Sequence, residues 1–249
     1  MWTHEQSYQG LSLRARVHRS RLETISQIFS RIPLGEAGVL ADFGCSNAYI
    51  LSLLQERFFE GKRWIFHGFD HAEELLEDGR KRALPDTTLH VADMTRRLPE
   101  WDKAFDVTIC LETLEHTADA HQSLLTLHQV TRPGGTILVS IPNEKGAQGL
   151  IKLFGRRLYQ RDPYGDFFEG QSQGRYVWHL LTGRRIDVFR RPSPGGYGPH
   201  LGFDHQIFEE FMKRALLDTG LCRLKLRTTS FFDFNLFYLL ERVDGGAGA

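Results

Sequence analysis

The chain has 249 residues and balances 31 Lys and Arg against 31 Asp and Glu, so no global field draws it to nucleic acid or to an acidic membrane. Its 41% hydrophobic and 25% charged residues are globular proportions, which excludes a disordered or fibrous chain. Three scattered cysteines, Cys45, Cys110 and Cys222, lack metal-ligand spacing and read as reduced thiols. The first ten residues hold no apolar core of leader length, and no segment approaches a membrane span, so the expected compartment is the cytoplasm. The tail GGAGA reads as disordered.

Residues 11–32 place Leu22, Ile25, Ile28, Phe29 and Ile32 at helical spacing, and Pro33 ends the run. Apolar runs of strand length then alternate with helical ones. Gly38–Asp42 is a predicted strand, Ala48–Phe59 a helix, Trp64–Phe69 a strand and Ala72–Leu84 a helix. Leu89–Ala92 and Phe105–Leu111 are further predicted strands. Ala118–Thr131 is a helix ended by Pro133-Gly134-Gly135, and Thr136–Ile141 a fifth strand. Residues 143–203 show no clear period. A helix over Asp204–Asp218 stops at Gly220, and two strands follow at Leu221–Thr228 and Phe234–Glu241. The few residues between them, SFFD included, permit a hairpin and forbid a helical crossover.

Alternating strands and helices imply a parallel sheet with right-handed crossovers, whose ligands bind beyond the carboxyl ends of the strands. The residues at those ends therefore carry the functional signal. The first strand runs into Asp42-Phe43-Gly44-Cys45-Ser46-Asn47-Ala48, an acid before a turn of small residues and a helix. A pyrophosphate-binding turn would read G-x-G-x-x-G, which is absent, and this disfavours a nicotinamide oxidoreductase. A carboxylate at this point repels phosphate and suits a cation. Asp70 ends the second strand, placed to accept from ribose hydroxyls, and Asp93-Met94 follow the third, placed to meet an adenine.

These motifs resemble those of class I S-adenosylmethionine (SAM)-dependent methyltransferases. The resemblance covers roughly residues 35–141 and the closing hairpin. VLADFGCSNAY corresponds to the glycine-rich first motif, GFD carries the ribose acid, and VADM the adenine contact. CLETLEH follows the fourth strand, and RPGGTILVSIPN forms the turn and fifth strand. The resemblance implies one α/β domain over residues 1–249: a Rossmann-like sheet with an antiparallel final hairpin, and an insertion at 143–203 after the fifth strand. It implies SAM contacts at Asp42, Gly44, Asp70, Asp93 and Met94, with Cys45, Ser46, His71 and Leu111 in the same set. Ser46 and Ala48 stand where many relatives have glycines. A SAM-binding protein without catalysis has the same signature.

Glu112, Glu115 and His116 follow the fourth strand, and on a helical turn they share a face. That face can bind a divalent cation or let His116 act as a general base. E-x-x-E-H here is similar to ubiquinone-pathway O-methyltransferases. It also resembles the small-RNA 2′-O-methyltransferases, in which such residues and a later histidine look like metal ligands. His205, or else His200, is the expected further ligand, and Mg²⁺ or Mn²⁺ the expected ion. The expected reaction is methylation of a hydroxyl oxygen on a small-molecule, lipid-linked or glycan acceptor, with RNA the less favoured acceptor.

The insertion interleaves aromatics with Arg156, Arg157, Arg161, Arg175, Arg184, Arg185, Arg190 and Arg191, a composition that suits an anionic or sugar-bearing substrate. Gly149–Tyr159 reads as a short basic amphipathic helix able to lie on the inner face of a membrane. The plainer expectation is a lid with a small aromatic core.

Overall fold

The computed structural model describes residues 13–159, 164, 167–190 and 200–243. Seven strands form one sheet: β1 (Ala37–Phe43), β2 (Arg63–Asp70), β3 (Thr87–Val91), β4 (Phe105–Leu111), β5 (Thr131–Pro142), β6 (Cys222–Thr229) and β7 (Asn235–Arg242). Their order is β3-β2-β1-β4-β5-β7-β6. The first five are parallel, and β7 runs antiparallel to both β5 and β6. The helices are α1 (Leu13–Phe29), α2 (Tyr49–Phe58), α3 (Glu73–Arg80), α4 (Ala120–Val130), α5 (Gly146–Tyr159), α6 (Gln173–Thr182) and α7 (His205–Met212). None of the described helices is long and apolar enough to cross a membrane.

Both faces of the sheet are covered, which is why its central strands read as unbroken apolar runs. Along β5, Ile137, Val139 and Ile141 join the core beneath α4 and α7, while Leu138 joins the core beneath α1 and α2. In β7, Leu236, Tyr238 and Leu240 alternate in the same way with Phe237 and Leu239. The two-residue side-chain period of a strand sends neighbours to opposite faces, so each strand feeds two cores at once.

The structure extends the predicted elements at several ends. β5 begins at Thr131, so Pro133-Gly134-Gly135 lies within the strand, with Gly134 at φ 73°. α7 is α-helical only to Met212 and continues as a π-helical turn over Lys213–Leu217. The larger difference is the insertion. Two helices, α5 and α6, lie in it, and they pack on a core of their own made by Leu153, Phe167, Tyr176, Leu180, Ile186, Phe189 and Leu201. α5 contains the helix expected over Gly149–Tyr159 and starts at Gly146, whereas Gly174 hides the period of α6. One of these glycines is structural: a Cβ at Gly149 would lie 2.2 Å from the Glu144 carbonyl oxygen. Arg161, Arg191, the first ten residues and the GGAGA tail lie outside the described residues.

A buried ion pair ties the insertion to the sheet domain. Lys145 Nζ donates to Asp204 Oδ2 at 2.9 Å, with both side chains almost fully buried. Asp204 also accepts from the backbone N–H of Ile186 and caps α7 through Gln206 N. Asp204→Ala leaves a buried ammonium short of its counter-ion, so it should cost about 3–5 kcal/mol, read from urea unfolding. A loss below about 1 kcal/mol would show that Lys145 finds another partner.

Candidate functional site

β1, β2 and β4 end at one edge of the sheet, and a cavity of about 520 Å³ opens there. The turn after β1 lines it from Asp42 to Asn47, and Phe69, Asp70 and His71 line it from the end of β2. Ala92 and Met94 close one side. Leu111, Glu112, Thr113 and His116 close the other, with Arg21 and Ile25 of α1 and His200 from the insertion.

The β1 turn is shaped by close approach. Gly44 sits at φ 79°, and a Cβ there would lie 2.1 Å from Thr113 Oγ1, so only glycine fits. Ser46 and Ala48, the two departures from a glycine-rich turn, adopt φ 52° and 57°. Glycine would take this left-handed backbone without strain, whereas a residue with Cβ pays on the order of 1 kcal/mol or more. Hydrogen bonds hold the turn in that conformation. Gly44 N and Cys45 N donate to the Phe69 carbonyl at 2.7 and 3.1 Å, and Ser46 N donates to Asp70 Oδ2 at 2.9 Å.

Asp70 therefore has a structural duty as well as a place in the cavity, since its Oδ1 accepts from Ala72 N at 3.0 Å. A carboxylate has further lone pairs, so acceptor capacity remains for ribose hydroxyls. His71, half exposed, stands 3.2 Å from Asp70. Met94, Cys45 and Leu111 line the cavity as expected, but Asp93 does not. Its Oδ1 accepts from Thr95 N and Thr95 Oγ1, and Oδ2 faces Arg96 on the surface. Asp42 is buried at the base of the turn. Burial first, and the Asp70 charge second, push its carboxyl up to about 7. A cation in the cavity reverses that cost.

The expected helical face of Glu112, Glu115 and His116 is not formed. Only Leu114–His116 makes a helical turn, a single 3₁₀ one, and Glu112 sits before it at φ 53°. The left-handed kink sends Glu112 toward the sheet, where it accepts from Ser140 Oγ at 2.8 Å and from Asn235 Nδ2. Arg21 Nη1 lies 3.6 Å from its Oε2. Burial, then repulsion from Glu115, hold the Glu112 carboxyl above the usual range.

The structure instead groups Glu115 and His116 with His200, whose ligand atoms all lie within 4.8 Å of one another. His205 is elsewhere. As the first residue of α7 its ring is buried, with Glu209, Asp204, Lys145 and Arg227 as its charged surroundings, and it does not line the cavity. Glu115 is fully buried, and neither carboxylate oxygen receives a hydrogen bond, although His200 Nδ1 lies 3.2 Å from Oε1. Burial opposes its ionisation, but His200 and His116 outweigh burial and hold it below the usual carboxylate range. Arg190 donates to the Glu115 backbone carbonyl and fixes the turn. An ionised, buried carboxylate needs positive partners, which here are the two imidazoles and which a cation would supplement. Two imidazoles and one carboxylate fit a divalent transition ion better than Mg²⁺, which prefers oxygen ligands.

Arg21 and His200 complete the site; His200 is the second choice named after His205, whereas the sequence reading does not single out Arg21. Arg21 lies four residues before the inward-facing Ile25, so the α1 helical wheel already put it on the inner face. His200 comes 84 positions after His116, beyond the reach of any local spacing rule.

Residues 41–139 match the sequence profile of the family described as "Methyltransferase domain". A trans-aconitate 2-methyltransferase from Variovorax paradoxus (strain S110) is 28% identical over 157 residues, which cover 62% of this chain and 59% of that one. A ubiquinone biosynthesis O-methyltransferase from Xylella fastidiosa (strain 9a5c) is 26% identical over 188 residues, 68% of this chain and 72% of that one. The chain thus spans less than two thirds of the first relative's length. Among solved structures, a chain of the complex between the Haloferax volcanii Trm112 methyltransferase activator and a methyltransferase superposes with TM-score 0.59 at 14% identity. The match covers 91% of this chain and 94% of that one. Sheet order and profile agree: residues 41–139 match the methyltransferase-domain profile, and the fold is that of the solved structure above.

Binding of a sulfonium cation such as SAM in this cavity is sensitive to Asp42. With the folded carboxyl raised to about 7, Asp42 is mostly protonated below that pH. A cationic ligand favours the ionised form, so binding releases a proton and strengthens as pH rises. Titration calorimetry with SAM should show affinity rising about tenfold or more from pH 5.5 to 7.5, then levelling. Asp42→Asn should flatten that dependence, and an unchanged slope would remove Asp42 from cofactor contact.

Proposed function

We propose that the protein transfers the methyl group of SAM to a hydroxyl oxygen of a small-molecule, lipid-linked or glycan acceptor. The observation that carries this reading is the convergence of His116 and His200, with Glu115 buried beside them, on the cavity that Asp42, Asp70 and Met94 also line. The two curated relatives described above, one named for trans-aconitate and one for ubiquinone biosynthesis, support a small acceptor.

The chemistry asked of the chain is alignment and removal of one proton. An acceptor oxygen forms its bond to the methyl carbon as the carbon–sulfur bond breaks. The electron pair goes to sulfur and leaves neutral S-adenosylhomocysteine. The acceptor proton goes to His116, which stands beside Glu115. Asp42 offsets the sulfonium charge in the ground state, and Asp70 holds the ribose. In the alternative, His116 is not the base but a ligand: a divalent ion on Glu115, His116 and His200 would lower the pKa of an acceptor hydroxyl and fix its direction.

Production of S-adenosylhomocysteine should be screened over diol-bearing small molecules, glycans and short RNAs, with and without EDTA. His116→Ala should lower turnover by roughly 10²–10⁴-fold with SAM binding retained. Loss in EDTA with rescue by Mn²⁺, and no rescue in Glu115→Ala, supports the metal. Full activity in EDTA leaves His116 as a metal-free base, and turnover with RNA alone overturns the small-acceptor reading.

The insertion supports a lipid-linked acceptor through α5. Ile151, Phe154 and Leu158 are 54%, 55% and 78% exposed and fall on one stripe, opposite the buried Leu153, with Arg157 exposed beside them. Lys152 and Arg156 turn inward, both to Glu144, so they are not part of that outer face. The stripe suits the surface of an anionic bilayer. Vesicles containing acidic phospholipid should sediment the protein at low salt and release it as salt rises. Phe154→Glu with Leu158→Glu should abolish this and leave SAM affinity unchanged. Undiminished sedimentation of that variant would remove α5 from the membrane contact.

A further inference from the structure

Resting on the role proposed above for Glu115, His116 and His200, the structure assigns Arg190 as the positioning residue of that cluster: it locks the turn that carries Glu115 and His116 to the turn that carries His200. Leu114–His116 is a single 3₁₀ turn. A turn so short leaves carbonyls for which it has no donors of its own. The Thr113 and Leu114 carbonyls accept from His116 N and Thr117 N at 2.9 and 3.2 Å. The next carbonyl, that of Glu115, accepts from the Arg190 guanidinium instead. The Glu115 carboxylate is fully buried, with His200 Nδ1 3.2 Å away. The direction it faces therefore rests on the peptide that carries it, and Arg190 holds that peptide.

The other end of Arg190 presses on the His200 turn. Arg190 follows the 3₁₀ turn Asp187–Phe189, and its own N–H donates to the Asp187 carbonyl at 2.9 Å. Gly202 sits at φ 81°, and a Cβ there would lie 3.3 Å from both Arg190 Cβ and Arg190 N. Phe203 N donates to the His200 carbonyl at 3.0 Å, and Gly202 N donates to the Tyr176 hydroxyl at 3.3 Å. The guanidinium carbon stands 5.4 Å from the centre of the Phe203 ring, which holds the side chain over this turn. A planar guanidinium can lie on a ring and donate at its edge at the same time, whereas an ammonium only donates. Burial disfavours the Arg190 charge, and the Glu115 carboxylate offsets that. One residue thus touches both turns, and between them the His116 and His200 ring centres come to 3.9 Å.

The test reads the cluster in the full chain, with no metal, cofactor or acceptor added. Nuclear magnetic resonance on protein with isotope-labelled histidine gives nuclear Overhauser cross-peaks between close ring protons, assigned with His116→Gln and His200→Gln. Wild type should show a cross-peak between the His116 and His200 rings. Arg190→Met keeps an apolar stem over Phe203 and removes the donors, so the cross-peak should be lost. Arg190→Lys keeps a donor and should restore part of it. His67 and His90, whose rings meet at 2.9 Å across β2 and β3, are the control for folding and should keep their resonances in both variants. A His116–His200 cross-peak of wild-type strength in Arg190→Met overturns the assignment and leaves the cluster standing. Disturbance of His67 and His90 as well in Arg190→Met, or no recovery in Arg190→Lys, makes Arg190 a general packing residue and also overturns it. Absence of the cross-peak in wild type removes the cluster itself, and the reading above falls with this inference.

Discussion

The close approach of Thr113 to Gly44 is the constraint on which the upper edge of the sheet depends. Two turns, after β1 and after β4, meet where one Cβ would not fit. Strands β1 and β4 are neighbours in register from Leu40 with Val107 to Asp42 with Ile109, so their turns emerge side by side. Thr113 is held in place by its own hydroxyl, which donates to the Leu111 carbonyl at 3.1 Å. The contact closes the floor of the cavity. Above it, Asp42 and Asp70 face one way, and the Glu115–His116 turn the other.

Strain accompanies this closure. Ser46, Ala48 and Glu112 all carry a Cβ in the left-handed region, and all three border or underlie the cavity. Each costs on the order of 1–3 kcal/mol, so the surrounding bonds must over-determine them. They do: Asp70 grips Ser46, and both the Ser140 hydroxyl and carbonyl take the Glu112 N–H. The sheet supplies the rigidity, and the turns hold the cofactor-facing groups at fixed distances.

How much of this was legible in the sequence depends on the range of the interaction. Strands buried on both faces announce themselves as apolar runs, so Phe105–Leu111 was read at its observed limits, and the hairpin followed from the short span between its strands. The acids at strand ends were legible for the same reason, because position in a parallel sheet fixes position at the site. Backbone conformation was not. Nothing in E-x-x-E-H reveals a left-handed Glu112, and without that kink the three side chains appear to share a face. Asp93 bonds Thr95 and faces Arg96, two and three residues on, a local pairing that its place after β3 does not reveal. α6 escaped notice because Gly174 and flanking polar residues blur its period. The pairing of Glu115 with His200 is a long-range fact of the fold.

The position of His200 has a consequence for how such a protein can change its acceptor. The insertion closes over its own small core and is docked by Lys145 and Asp204, so it has the build of an exchangeable module. Yet its last described segment delivers His200 onto Glu115 and His116, which belong to the sheet. Recognition and reactive groups are therefore stitched together by one side chain. A graft that replaces the insertion with a longer or shorter one carries the third member of the cluster with it, and a shift of one residue at that junction swings the imidazole away. On the function proposed above, diversification of this scaffold is thereby channelled: the cluster survives only along lengths of insertion that bring a histidine back to the same spot.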